Sequence, residues 1–217
     1  MTTDYPSQLE AISQYASDEL ARRHQQREQA LGLCREIIRL SANAIRALHR
    51  REFDGANELL AQAALRLDQM TNCLKEYPEI HHAGFLSDAQ KEYVEALCVR
   101  AFLLTKELPH PQELRVGLAP YLNGLGEAAG ELRRYVLDSL RRDDVSRCEE
   151  LLESMDAIYG VLVSLDFPDA LTGGLRRTCD MVRGVLERTR GDLTMALRQR
   201  ELTERLDAWQ ERGRSGT

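Results

Sequence analysis

Several things are missing from this chain, and each absence closes off a class of protein. No uncharged run approaches the ~20 residues that a membrane-spanning helix needs; residues 116–126 are among the longest. The opening MTTDYPSQLEAISQ has no basic start and no apolar core, so no secretory signal is expected. Five cysteines (Cys34, Cys73, Cys98, Cys148 and Cys179) are scattered and form no C-x-x-C pair. That spacing argues against a disulfide framework and a zinc knuckle, and points to a reduced, cytoplasmic setting. Alternating β-branched stretches, low-complexity segments and internal repeats are missing too. No G-x-S-x-G, Walker loop, G-x-G-x-x-G or H-E-x-x-H is found. Lysine is scarce, confined to Lys75, Lys91 and Lys106.

What remains is 217 residues, 43% hydrophobic and 29% charged, enough for a substantial core. The net charge of −6 speaks against indiscriminate nucleic-acid binding. Its distribution is uneven, however. Segment 22–51 holds arginines at 22, 23, 27, 35, 39, 46, 50 and 51 against only Glu28 and Glu36. Arginine suits two-pronged phosphate contacts, although GC-rich coding yields the same bias.

A 3.6-residue period dominates. Leu31, Cys34, Ile38, Ser41, Ile45 and Leu48 recur at helical spacing, as do Leu60, Ala63, Leu67, Met70 and Leu74. The pattern predicts long helices over about 8–51, 54–76, 88–107, 120–142, 145–165 and 175–212. The third should start at the capping box Ser87-Asp88-Ala89-Gln90 and stop before Leu108-Pro109-His110-Pro111. Breaks are expected at Phe167-Pro168-Asp169 and Thr172-Gly173-Gly174. The expectation is one all-α domain over 1–217, with 1–7 and 213–217 frayed.

Helical projection singles out certain acids. Ala89, Ala96, Val99 and Leu103 define an apolar arc with Glu92 in its middle and Glu95 near its rim. A carboxylate on an apolar stripe is costly unless paired, protonated or bound to a cation. Glu127 and Glu131 form an i, i+4 pair on the fourth helix, sharing a stripe with Asn123, Arg134 and Asp138. Gly124 and Gly130 flank that pair and would let another chain or a ligand approach the backbone closely. Two such helices can assemble an all-oxygen site for Mg²⁺ or Mn²⁺; the ordinary alternative is a solvated acidic face. Arg35, Arg39, Arg46 and Arg50, with Asn43, fall within about 80° of one helical face, a ridge that could follow a phosphate backbone or simply face solvent. Glu79-Ile80-His81-His82 matches the E-x-x-H of di-iron bundles but has no second copy.

Two segments resemble a known family. Gln90-Lys91-Glu92-Tyr93-Val94-Glu95-Ala96 is similar to the EYVEA segment of translin-associated factor X. Tyr121-Leu122-Asn123-Gly124, Glu127 and Gly130-Glu131-Leu132 resemble that family's YLLG…D…GEL segment. The Arg142-Asp143-Asp144 turn and Leu175-Arg176-Arg177 opening a long last helix also fit the translin pattern, and the match runs through most of 22–205.

The resemblance implies a translin-fold bundle of six to seven long helices that assembles into a closed homo-oligomer, commonly an octamer. It implies a metal-dependent endoribonuclease acting on single-stranded RNA inside that oligomer, as in prokaryotic members built from one chain. Glu92, Glu95 and Glu127 correspond to the catalytic, metal-binding acids, with Glu131 close by. Glu127 stands where the family usually has Asp. Arg35, Arg39, Arg46, Arg50 and Arg134 are the candidate nucleic-acid contacts. The alternative is translin-type binding of single-stranded RNA or DNA without turnover.

Overall fold

A computed structural model describes residues 4–77 and 84–215. The Glu79–His82 motif lies outside the described residues. Eight helices and no strand occur among them: α1 Tyr5–His49, α2 Phe53–Cys73, α3 Gly84–Leu103, α4 Pro111–Leu114, α5 Leu118–Leu140, α6 Cys148–Val163, α7 Asp169–Thr172 and α8 Leu175–Ser215. The chain divides into two compact units, residues 1–96 and 97–217, and the division falls inside α3, which runs on without a break. No described helix is long and apolar enough to cross a membrane.

In the first unit the part of α1 from Ala30 onward pairs with α2. Asp4 caps α1, its carboxylate accepting from the Ser7 amide at 3.3 Å, and Pro6 occupies the first turn without losing a bond. The helix thus begins at Tyr5, inside the stretch expected to fray. Ala30, Ile37, Leu40, Ala44 and Leu48 of α1 are buried, as are Ala56, Leu60, Ala63, Leu67 and Met70 of α2. Chain reversal relies on Arg51, a non-glycine residue in the left-handed region at φ 63°. Cys34 sits in this seam, its thiol donating to Met70 Sδ at 3.2 Å. Burial pushes that thiol up to about 11, and all five cysteines are free.

In the second unit α5, α6 and α8 pack on one another around Leu132, Val136, Leu151, Met155, Leu162 and Val182. Asn123 is the polar hub of this core. Its Nδ2 donates to the carbonyls of Ala119 and Thr172, both at 2.8 Å, tying α5 to α7. Gly173 then ends α7 in the left-handed region at φ 59°, where glycine is unstrained. Arg147 grips the end of α3, Nη1 donating to the Leu103 carbonyl at 2.5 Å and Nη2 to Phe102 at 2.9 Å. The same guanidinium pairs with Glu150 at 2.6 Å.

The predicted long helices are present, with two corrections. α3 starts at Gly84, so Ser87 lies within it rather than capping it: Leu86 is buried, and the apolar anchor of the helix stands upstream of the capping-box residues. α4 and α7 occupy stretches read as breaks. Within the chain, Gly126 is the glycine of α5 that other helices approach. A Cβ there would collide with Thr178 Cγ2 and lie 3.1 Å from Leu162 Cδ1, whereas nothing lies within 4 Å of one built at Gly130.

Candidate metal centre and nucleic-acid interface

Glu92 and Glu95 stand one turn apart on α3, and Glu127 and Glu131 one turn apart on α5. The expected order of burial on α3 is reversed. Glu95 is the buried acid, 9% exposed, while the Glu92 side chain keeps 29% of its surface and lies 4.0 Å from Lys91 Nζ. Residues 93–99 are buried without interruption, so this stretch of α3 has no single apolar face. Projection onto one arc therefore ranked the two acids wrongly. Glu127 is half-buried between Gly126 and Ala128, both buried.

One carboxylate oxygen from each of Glu92, Glu95 and Glu127 lies within 4.8 Å of the other two. Glu131 is not in this group; its carboxylate lies 3.6 Å from Arg134 Nη1. Three carboxylates make a hard, all-oxygen donor set. Carboxylate oxygens are the donors that Mg²⁺ takes. The donor chemistry fits Mg²⁺ or Mn²⁺ and suits a soft ion poorly. Burial of Glu95 adds to the fit, because a cation offsets the cost of holding carboxylates away from water.

The arginines fall into two kinds. Arg35 and Arg39 are exposed on α1, and so is Arg46, whose Nη1 donates to Asn43 Oδ1 at 2.6 Å. Arg50 belongs to the end of α1 and gives two hydrogen bonds to the Glu52 carboxylate, at 2.8 and 2.7 Å. That pairing leaves it the least available of the ridge. Arg134 is exposed on α5. Sequence reasoning passed over Arg133, half-buried, which donates to Thr189 Oγ1 at 3.1 Å and pairs with Asp192 at 2.8 Å to join α5 to α8. It also left the hub role of Asn123 unseen, because its partners lie about 50 residues away.

No protein-family model matches the chain. A curated relative, an uncharacterized protein of Methanocaldococcus jannaschii, is 32% identical over 194 residues, spanning 88% of this chain and 86% of its own. The crystal structure of AfC3PO is 33% identical, with a TM-score of 0.80 over 86% of this chain and 97% of its own. AfC3PO in complex with duplex RNA is likewise 33% identical, with a TM-score of 0.77 over 89% and 98%. Apo-NeC3PO, at 19% identity and a TM-score of 0.76 over 90% and 99%, shares the fold. With EYVEA- and GEL-like segments on α3 and α5 and these C3PO structures matched nearly end to end, the chain belongs to the translin superfamily.

Proposed function

We propose that this protein is a metal-dependent endoribonuclease working as a closed homo-oligomer, the octamer being the assembly its family resemblance implies. The observation that carries the reading is the carboxylate group of Glu92, Glu95 and Glu127, whose oxygens lie within 4.8 Å of one another. These residues would hold Mg²⁺ or Mn²⁺, with Glu131 one turn further along α5 as an added acid. The bound ion supplies activation of water and charge compensation at the scissile phosphate.

The chain's own part is positioning. Buried Glu95 is confined by its packed neighbours, whereas half-buried Glu92 and Glu127 keep room to adjust. Glu127, one methylene longer than the Asp of the family pattern, reaches further from α5. Exposed Arg35, Arg39, Arg46 and Arg134 are the groups that would hold phosphates in register. Structural similarity to a C3PO bound to duplex RNA supports RNA as the partner. The sequence resemblance favours single strands, so both forms belong in the test. That same bound relative also favours a second reading, RNA binding without cleavage.

The deciding experiment is cleavage of end-labelled single-stranded and duplex RNA in Mg²⁺ or Mn²⁺, with and without EDTA. Internal cuts that vanish with EDTA are expected. Retention of RNA with no cuts in either metal would leave the protein a binding module.

A further inference from the structure

The seam between α1 and α2 holds a group of sulfur atoms that the nuclease reading leaves unused. The Cys34 thiol of α1 meets Met70 Sδ of α2 at 3.2 Å. Cys73 follows Met70 by three residues on α2, so the two side chains leave that helix about 60° apart, one turn along. Burial pushes the Cys34 thiol up, and charge on Cys73 pushes it further, which makes the two thiols neighbours. Cys34 and Met70 are each 2% exposed, whereas Cys73 is half-buried. All three residues belong to the unit of residues 1–96.

Packing alone asks only for apolar bulk here, which Ile37 and Leu40 of α1 and Leu60 and Leu67 of α2 supply nearby. Two thiols and a thioether arriving from two helices also make a donor set, and its chemistry is selective. Thiolates and thioethers are soft ligands that favour Cu(I). Zn²⁺ takes four donors drawn from thiolate, imidazole and carboxylate, a set without thioether. Iron–sulfur clusters are held by four thiolates. Two thiolates and one thioether match a three-coordinate Cu(I) ion. Each thiol gives up its proton to solvent as the metal–sulfur bond forms, so affinity climbs with pH. Half-buried Cys73 is the way in, and buried Cys34 and Met70 enclose the ion.

We propose that Cys34, Met70 and Cys73 form a site for a soft monovalent cation, Cu(I), which clasps α1 to α2. Its donors are sulfurs, where Glu92, Glu95 and Glu127 offer hard oxygens. The proposal therefore stands or falls independently of RNA cleavage.

The test is anaerobic titration of the reduced, full-length chain with Cu(I) in competition with the chelator bicinchoninate. One equivalent per chain should leave the chelator and bring ultraviolet thiolate-to-copper absorption. X-ray absorption should count three sulfur neighbours at the metal. Cys73→Ser should weaken binding at least ~100-fold and Met70→Leu at least ~10-fold, no less than the loss of a supporting contact costs a metal site. Cys34→Ser should match Cys73→Ser; if that core variant loses helix content, the half-buried Cys73 carries the test. Cys148→Ser with Cys179→Ser should bind as the parent does. Binding to the folded chain should also raise the melting temperature of the parent and leave that of Cys73→Ser unmoved. A parent chain that takes no copper from the chelator would overturn the proposal. So would parental affinity in Cys73→Ser or Met70→Leu, or binding that depends on Cys148 or Cys179.

Discussion

The Thr178 hydroxyl donates to Asn123 Oδ1 across 2.5 Å, fastening the first turn of α8 to the second turn of α5. Asn123 also donates to the Thr172 carbonyl, so one side chain holds three helices one turn before Glu127. Asn123→Ala leaves the buried Thr172 carbonyl without this partner and strips the Thr178 hydroxyl of its acceptor. Stability should fall by about 2–3 kcal/mol, read from urea unfolding at unchanged m-value. A loss below about 0.5 kcal/mol would mean that water replaces the amide at little cost.

Gly126→Ala should destabilise even though the reverse is usual. In an open helix interior, Gly→Ala gains roughly 0.5–1 kcal/mol. Here the new methyl meets Thr178 and Leu162, and overpacking of this kind costs roughly 1–3 kcal/mol. Gly130→Ala, which meets nothing within 4 Å, should show the ordinary gain. Opposite signs in the same denaturation series are the expected outcome.

Glu92→Gln, Glu95→Gln and Glu127→Gln each keep side-chain volume and remove a negative ligand. Cleavage should drop at least ~100-fold in each, the scale of losing one electrostatic stabiliser at a reacting centre. RNA affinity should hold or rise, since repulsion of phosphate is reduced, and metal-free thermal stability should do the same. Parental cleavage by all three variants would put the chemistry elsewhere. Lower stability together with activity proportional to folded protein would mark the acids as ion-pair residues.

Arg39→Ala with Arg46→Ala should weaken RNA binding for every sequence tested. It should also flatten the plot of log affinity against log salt by roughly one unit per lost phosphate contact. Arg50→Ala should matter less, because its guanidinium is engaged by Glu52. Fluorescence titrations at three salt concentrations separate these outcomes, and equal effects at Arg39 and Arg50 would count against the ridge.

The long helices were legible because each repeats its apolar stripe over many turns, so local errors average out. α4 and α7 were not, since four residues complete barely one turn and carry no period. α4 is held by a device only the backbone reveals, with His110 Nδ1 accepting from the Gln112 amide and Glu113 accepting from the His110 amide. Glu92, Glu95 and Glu127 were found as a set, by helical spacing and by family resemblance. Their relative burial was hidden because Tyr93, Val94, Leu97 and Cys98 are buried alongside Ala96 and Val99. A one-face projection assigns such residues to the wrong side. The α5 contact glycine was missed for a related reason: its neighbours Leu162, Thr178 and Val182 come from α6 and α8, far along the chain.

The grip of Arg147 on α3 has a mechanical side. A single hydrogen bond at a helix end behaves as a swivel and leaves the rod free to turn about its own axis. A fork that holds two consecutive carbonyls, Phe102 and Leu103, resists torsion as well as sliding. Glu95 lies eight residues upstream, roughly 12 Å along the axis. A turn of 20° at the clamped end would swing a carboxylate there sideways by about 2 Å, given a side-chain reach of ~5 Å from the axis. Lysine at position 147 would keep the charge and lose the fork, leaving the packing of residues 93–99 alone to set the rotation of the helix.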